Sequence, residues 1–173
     1  MLFRSEIKEN IMRTPKIEKV ILSAGANGDA LDKAVKLLEI ISKRKVIKTK
    51  GRKRIPTWGV RPGLEIGCKV TLRGKEAIEM LKRALVAVDK EIKKKQIAPN
   101  HFSFGVPEYI EMPGVEYQRD IGIIGFNVTV DFIRKGVRVK RRKMKEGKLP
   151  GKQAVTTEEI IKYLEENFGV IIK

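Results

Sequence analysis

A mixed fold of strands and helices in one domain is predicted by three observations on this 173-residue chain. Short segments alternate apolar with polar or cationic residues, as half-buried strands do, and longer ones repeat apolar residues at helical spacing. Hydrophobic residues make up 42% of the sequence, enough apolar surface to offset chain entropy and to exclude wholesale disorder. At this length a single core is expected, a domain spanning 1–173 with a basic extension at about 134–150.

Residues 1–15 are polar and read as partly ordered, with Pro15 marking the boundary before a strand. Residues 16–22, Lys-Ile-Glu-Lys-Val-Ile-Leu, are rich in β-branched side chains and form the first strand. Residues 23–29 read as a turn, and a helix follows over 29–42 with Leu31, Ala34, Val35, Leu38 and Ile41 as its buried stripe. Strand, glycine turn and helix start could cradle an anion, but no Walker lysine or dinucleotide fingerprint is present. Gly25-Ala26-Asn27-Gly28 has the bare form of a GXXG clamp, which elsewhere joins two helices, so a plain turn is the better reading.

Residues 43–74 read as a β-hairpin facing RNA. The outgoing arm holds Lys43, Arg44, Lys45, Lys48, Lys50, Arg52, Lys53 and Arg54 without a carboxylate. A turn-rich tip over 55–63 contains Trp58. On the return, Cys68, Val70 and Leu72 alternate with Lys69, Thr71 and Arg73, so one face is apolar and the other donates hydrogen bonds. An apolar face wants a core; a donor face wants an anion. A long helix is expected over 75–95, its stripe formed by Ile78, Leu81, Ala84 or Leu85, Val88 and Ile92.

Pro99, Pro107 and Pro113 break any long element within 96–125, yet Phe102, Phe104, Tyr109, Ile110 and Tyr117 are too apolar for a free linker. That stretch reads as a packed loop with short strands. Residues 127–133 alternate cleanly and form a half-buried strand, ended at Gly136. The basic block that follows sets nine cations against Glu146 alone, so it cannot neutralise itself and is expected to be ordered by its partner. Thr156 and Glu159 form a capping box for a helix carrying Ile160, Ile161, Leu164 and Phe168. Gly169 suits the helix end, and Val170, Ile171 and Ile172 can tuck back onto the core.

The formal charge is +17, and its placement says more than its sum. Residues 43–54 and 134–148 each contribute +8, leaving the rest of the chain near neutral. Clustered charge is the footprint of polyanion binding, whereas a basic surface kept for solubility would spread it. The lone Cys68 excludes an internal disulfide and reads as buried packing. His101, the single histidine, lacks a second ligand or base nearby and reads as a surface or structural residue. No metal or cofactor is expected. The start, Met1 to Glu6, has no hydrophobic signal region and no stretch approaches a membrane span, so a soluble intracellular protein is expected, with no membrane partner.

The segment Ile66-Gly67-Cys68-Lys69-Val70-Thr71-Leu72-Arg73-Gly74 closely resembles a motif of the universal uL5 family, the 5S rRNA-binding proteins of the large ribosomal subunit. Ile55-Pro56-Thr57-Trp58-Gly59-Val60-Arg61, Phe102-Ser103-Phe104-Gly105, Pro113-Gly114-Val115-Glu116-Tyr117 and Gly122-Ile123-Ile124-Gly125-Phe126 are similar in the same order. Arg138-Val139-Lys140-Arg141-Arg142-Lys143 looks like the basic extension of the archaeal and eukaryotic branch. The resemblance runs from about Met12 to the C-terminus.

The resemblance implies an α+β fold: an antiparallel sheet with helices packed on one face, plus a protruding basic hairpin loop. It implies a cytoplasmic, non-enzymatic ribosomal protein that seats 5S rRNA in the central protuberance. Implied partners are 5S rRNA, large-subunit rRNA, P-site tRNA and neighbouring ribosomal proteins, including a small-subunit head protein that the loop around 99–117 would meet. Ser23, Arg44, Lys45, Lys48, Lys50, Lys69, Thr71 and Arg73 are the RNA-binding candidates, with Arg138, Lys140, Arg141, Arg142 and Lys143. Lys53, Arg54, Thr57, Trp58 and Arg61 would form the tip near tRNA. Trp58 could stack on a base or pack on Pro56 and Pro62.

Two departures stand out. The family usually has Asn-x-Gly-Val-Gly-Glu where this chain has Ser23 to Asp29, and Gly-Gln-Lys-Pro where it has Lys43-Arg44-Lys45-Val46. An amide both donates and accepts, whereas Arg44 only donates, so phosphate contact is expected to replace some base- or sugar-edge recognition. Rival readings are a non-ribosomal RNA-binding protein or RNA chaperone, which leaves the ordered motifs unexplained, and an RNA-modifying enzyme, for which the chain offers no paired-carboxylate motif or cofactor loop.

Overall fold

The computed structural model describes residues 12–173; the expectations for residues 1–11 lie outside them. Its centre is a six-stranded antiparallel sheet in the order β2-β3-β1-β7-β6-β5. The strands are β1 (Lys16–Gly25), β2 (Ile47–Lys50), β3 (Glu65–Leu72), β5 (Ile97–Ala98), β6 (His101–Val106) and β7 (Phe126–Ile133). The helices are α1 (Asp29–Ser42), α2 (Lys75–Val86), the single turn α3 (Arg138–Arg141) and α4 (Thr157–Phe168). This is the expected α+β class.

Alternation decides which face is covered. Val20, Leu22 and Ala24 of β1, Cys68, Val70 and Leu72 of β3, the Phe102 and Phe104 rings of β6, and Val128, Val130 and Phe132 of β7 are all buried. They form one contiguous cluster with the inner stripes of α1, α2 and α4. Leu31, Ala34, Leu37, Leu38 and Ile41 are the buried apolar side chains of α1; Leu37 joins the expected stripe and Val35 is only half-buried. The Phe102 ring stacks on Phe104 at 5.9 Å and lies 5.9 Å from Phe132, which meets Tyr163 of α4 edge-on at 5.4 Å. An aromatic ladder therefore couples the sheet to the C-terminal helix, as offset and edge-on ring pairs favour.

Four expectations change. The first strand runs on through Ser23, Ala24 and Gly25, so the turn begins at Ala26. The cause is pairing: Gly25 sits opposite Gly67, where a Cβ would come within 3.0 Å of the Ala24 carbonyl oxygen and of Thr49 Oγ1. Glycines that look like turn residues here permit close strand approach.

The long helix stops at Val86 instead of Lys95. Asp89 and Lys90 take left-handed backbone conformations (φ 50° and 58°), and β4 (Glu91–Ile92) pairs in parallel with β8 (Ile171–Ile172). Backbone bonds from Ile171 to Lys90 (2.9 Å) and from Lys173 to Ile92 (3.0 Å) bind the C-terminus there. Tertiary pairing overrides a helical pattern that no Gly or Pro interrupts. Ile78 faces outward, 39% exposed, while Ala77, Met80, Leu81, Ala84 and Leu85 carry the buried face.

The stretch read as a packed loop with short strands over 96–125 does hold β5 and β6, but β6 is a full six-residue strand paired inside the main sheet. Its alternating Phe102, Phe104 and Val106 match the β rule, and Tyr109 is buried as its polar tip accepts from the Gln118 N–H at 2.9 Å. Ile110 and Tyr117, expected to pack, are exposed.

The second basic block is not without acidic partners. Arg134, only 4% exposed, binds both carboxylate oxygens of Glu159 and donates to the Lys152 carbonyl at 3.1 Å. Arg141 binds Glu18. Both carboxylates come from other elements, which a reading of local charge does not see. The capping box at Thr156 and Glu159, the left-handed Gly169 and the returning tail, with Val170 buried, are as expected. Among the described residues no helix is long and apolar enough to cross a membrane.

Candidate nucleic-acid interface

The α1, α2 and α4 stripes pack on one face of the sheet, and strand register fixes what the other face displays, since directly opposed residues share a face. One row runs Ile47, Lys69, Ser23, Asn127, Gly105. The next runs Thr71, Ile21, Thr129, Ser103, and a third Lys19, Asp131, His101. Cations stand at the β3 side, hydroxyls and an amide occupy the middle, and Lys19 pairs with Asp131 at 2.9 Å.

Arg44, Lys45, Lys69, Thr71 and Arg73 line one groove of about 630 Å³ along the β2–β3 edge. The structure thus brings together five candidates from the first basic arm and its return strand. Ser23 is half-buried beside Lys69 in the same row. The cations are not all unpaired, however, which corrects the picture of an arm without carboxylates. Arg44 binds Glu76 through Nε (3.2 Å) and Nη2 (2.6 Å), which raises its pKa. Lys48 bridges Asp32 at 2.8 Å and Glu65 at 3.3 Å, and those hydrogen bonds raise its pKa in turn. These pairs are exposed, so solvent and salt screen them and a phosphate can compete for the same donors. Lys45 and Lys50 are exposed.

The tip is a small ordered loop. Ile55 and Val60 exchange backbone hydrogen bonds of 2.9 and 3.1 Å, and Gly51 bonds to Leu64 and Gly63. Val60 is buried at its base. Pro56 starts a single 3-10 turn that ends at left-handed Gly59. Lys53, Arg54, Thr57 and Arg61 are exposed, and Trp58 is 71% exposed, which disfavours the packed alternative for its ring. Its carbonyl accepts from Asn27 Nδ2 at 3.4 Å. The tip and Arg73 lie at opposite ends of β3, about 25 Å apart at the usual rise per residue.

Arg138, Lys140, Arg141, Arg142 and Lys143 are all exposed. Arg141 reaches the Arg73 end of the sheet through Glu18, so the extension and the tip flank the groove from opposite ends. Sequence reasoning missed Glu18, Ser103, Asn127 and Thr129. A signal for Glu18 exists: Ile17 and Val20 are buried three residues apart, not two, which marks a bulge between them. The thiol of Cys68 is buried and donates to the Ala24 carbonyl at 3.7 Å; burial pushes its pKa up. Among the described residues no cluster of His, Cys, Asp and Glu could hold a metal ion.

Comparison with known proteins gives concordant matches along the chain. Residues 10–61 match a family described as ribosomal protein L5, and residues 65–162 match the model of that ribosomal family's C-terminus. The chain is 44% identical over 167 residues to the large ribosomal subunit protein uL5 of Nanoarchaeum equitans, covering 95% of this chain and 99% of that one. It is 40% identical to the uL5 proteins of Sulfolobus acidocaldarius, over 95% of this chain and 94% of the relative, and of Archaeoglobus fulgidus, over 95% and 93%.

Proposed function

The chain belongs to the ribosomal protein L5 family, and from that premise we propose that it seats 5S rRNA in the large ribosomal subunit. It is a structural, non-enzymatic constituent of that subunit, working in the cytoplasmic ribosome with rRNA and ribosomal proteins as partners. The finer reading is that the chain acts as one domain, which grips 5S rRNA on the sheet face opposite the helices and sends the Trp58 tip toward P-site tRNA. The loop over 99–117 faces the small-subunit head.

The observation that carries the reading is the meeting, on one face, of a cationic groove with a hydroxyl and amide row. Arg44, Lys45, Lys69 and Arg73 supply phosphate contacts, which position an RNA. Ser23, Thr71, Thr129, Ser103 and Asn127 offer donors and acceptors suited to 2′-hydroxyls and shallow-groove edges, which is how RNA helices are recognised. With Arg44 held by Glu76, the departure at 43–46 places a neutralised guanidinium at the groove, able to exchange its carboxylate for a phosphate.

The test is a salt titration of binding to a 5S rRNA transcript and to a size-matched control RNA, for the wild type and Lys69→Ala/Arg73→Ala. Each phosphate contact contributes about −0.7 to −0.9 to the slope of log affinity on log salt. A preference for 5S rRNA that survives high salt and is lost in the variant supports the proposal. Equal binding to both RNAs, with only a shallower slope in the variant, would reduce the protein to a general polyanion binder.

A further inference from the structure

Glu18 is a carboxylate set among cations. Ile17 pairs with Phe132 and Lys19 with Asp131, so Glu18 is the extra residue of a β-bulge in β1. Bulges re-aim the side chain they insert. The Glu18 side chain is only 12% exposed, and both its oxygens lie 2.6 Å from Arg141 Nη2, with Arg73 Nη1 3.4 Å away. The bond from Arg141 outweighs the effect of burial and holds the carboxyl below its ordinary range, so it is ionised at neutral pH.

The two arginines belong to the two separate basic segments. α3 buries none of its side chains and overhangs a cleft of about 450 Å³ at the end of the sheet. Among the described residues, then, no fully buried apolar side chain of its own anchors it. Among the described residues, the ion pair that joins 138–148 to the sheet is Arg141–Glu18. A guanidinium has five donors; here each uses one nitrogen on Glu18, and the side chains stay 53% and 61% exposed. Carboxylate on one side and water on the other is the arrangement of an arginine held ready for an anion.

We infer that Glu18 is a positioning residue for RNA binding, which from the β1 bulge fixes Arg73 and Arg141 side by side and joins both basic segments into one phosphate-binding edge. The inference rests on the RNA-binding reading above and adds what organises its cations. The ligand is a phosphodiester backbone, bound by the outward donors of the two arginines.

The consequence is opposite in sign to that of net charge. Glu18→Gln removes a negative charge, which by long-range electrostatics alone tightens binding to RNA. Loss of the clamp instead releases Arg141 and its segment, and ordering them again opposes binding. The experiment compares wild type, Glu18→Gln, Arg141→Gln, the double variant and Glu39→Gln, an exposed charge-matched control on α1. Affinity for a 5S rRNA transcript and for the size-matched control RNA, and amide hydrogen exchange over 138–148 in the free protein, are measured. Glu18→Gln should weaken binding about fivefold, the scale of a lost charge-assisted bond. It should add little to Arg141→Gln, and it should speed exchange in the segment; Glu39→Gln should do neither. Binding as tight as or tighter than wild type in Glu18→Gln overturns the inference. If wild type shows no preference for 5S rRNA, the ribosomal reading fails separately, and unchanged exchange in Glu18→Gln then sinks the clamp by itself.

Discussion

Removing the Glu159 side chain should destabilise the protein severely, whereas removing its buried partner as well should restore most of the loss. Arg134 is 4% exposed and meets both Glu159 oxygens, so Glu159→Ala strands a buried guanidinium. Breaking such a pair costs about 3–5 kcal/mol. The Glu159 side chain is 38% exposed, so water reaches the site and the low end, about 3 kcal/mol, applies. Glu159 also accepts from the Thr156 N–H at 3.1 Å, and loss of that half of the capping box adds about 0.5–1 kcal/mol. Together these lower the melting temperature by about 10 °C for a chain this size. In Arg134→Met/Glu159→Ala no buried charge remains, and Arg134 Nε, which lacks a partner among the described residues, disappears too. Only the cap is lost, at about 1 kcal/mol. Urea unfolding of the wild type, Arg134→Met, Glu159→Ala and the double variant at pH 7 measures the cycle. A double variant as unstable as Glu159→Ala would refute the reasoning, because the cost would then lie in the helix and not in the stranded charge.

The same pair makes stability depend on pH. Burial alone would raise the Glu159 carboxyl, but the Thr156 N–H and Arg134 outweigh it and hold its pKa below the ordinary value. The contribution is therefore full above the unfolded pKa of about 4.3 and is lost as pH falls through the folded value; Glu159→Gln should flatten that part of an acid titration. Phe102→Ala, which removes the ring that joins Phe104 to Phe132 in the aromatic ladder, should cost about 3–5 kcal/mol by denaturant unfolding. Gly67→Ala should cost about 1–3 kcal/mol, because its Cβ meets backbone oxygen at 3.0 Å; a neutral result would mean that β1 and β3 can separate freely. Cys68 should react with an aromatic disulfide reagent only at the rate of unfolding, since it is 2% exposed with a raised pKa. Trp58 fluorescence should report a water-exposed ring that changes on binding RNA, and Trp58→Ala should lose about 1–3 kcal/mol per stacked base; unchanged emission and affinity would remove the tip from the interface.

Elements whose signal is local were legible in the sequence. The helix over 29–42, the strand over 127–133, the Thr156–Glu159 box and the alternation from Cys68 to Arg73 each rest on spacing within one segment, and each stands where it was expected. The two basic segments were legible as charge, and the groove candidates from Arg44 to Arg73 do converge. What failed was everything that needed a second segment. Ser23 to Gly25 looked like a turn until Gly67 lay opposite; residues 87–92 looked helical until the C-terminal strand paired with them. The cations looked unpaired until Asp32, Glu76, Glu159 and Glu18 arrived from elsewhere.

By itself, then, the sequence determined which faces are apolar, where charge accumulates and which family the motifs resemble, because side-chain chemistry and period are properties of single segments. Only the tertiary structure decided which strand ends meet, which carboxylates partner which cations and where Glu18 points. Those depend on register and on a bulge, and a one-residue shift in either moves every side chain to the other face.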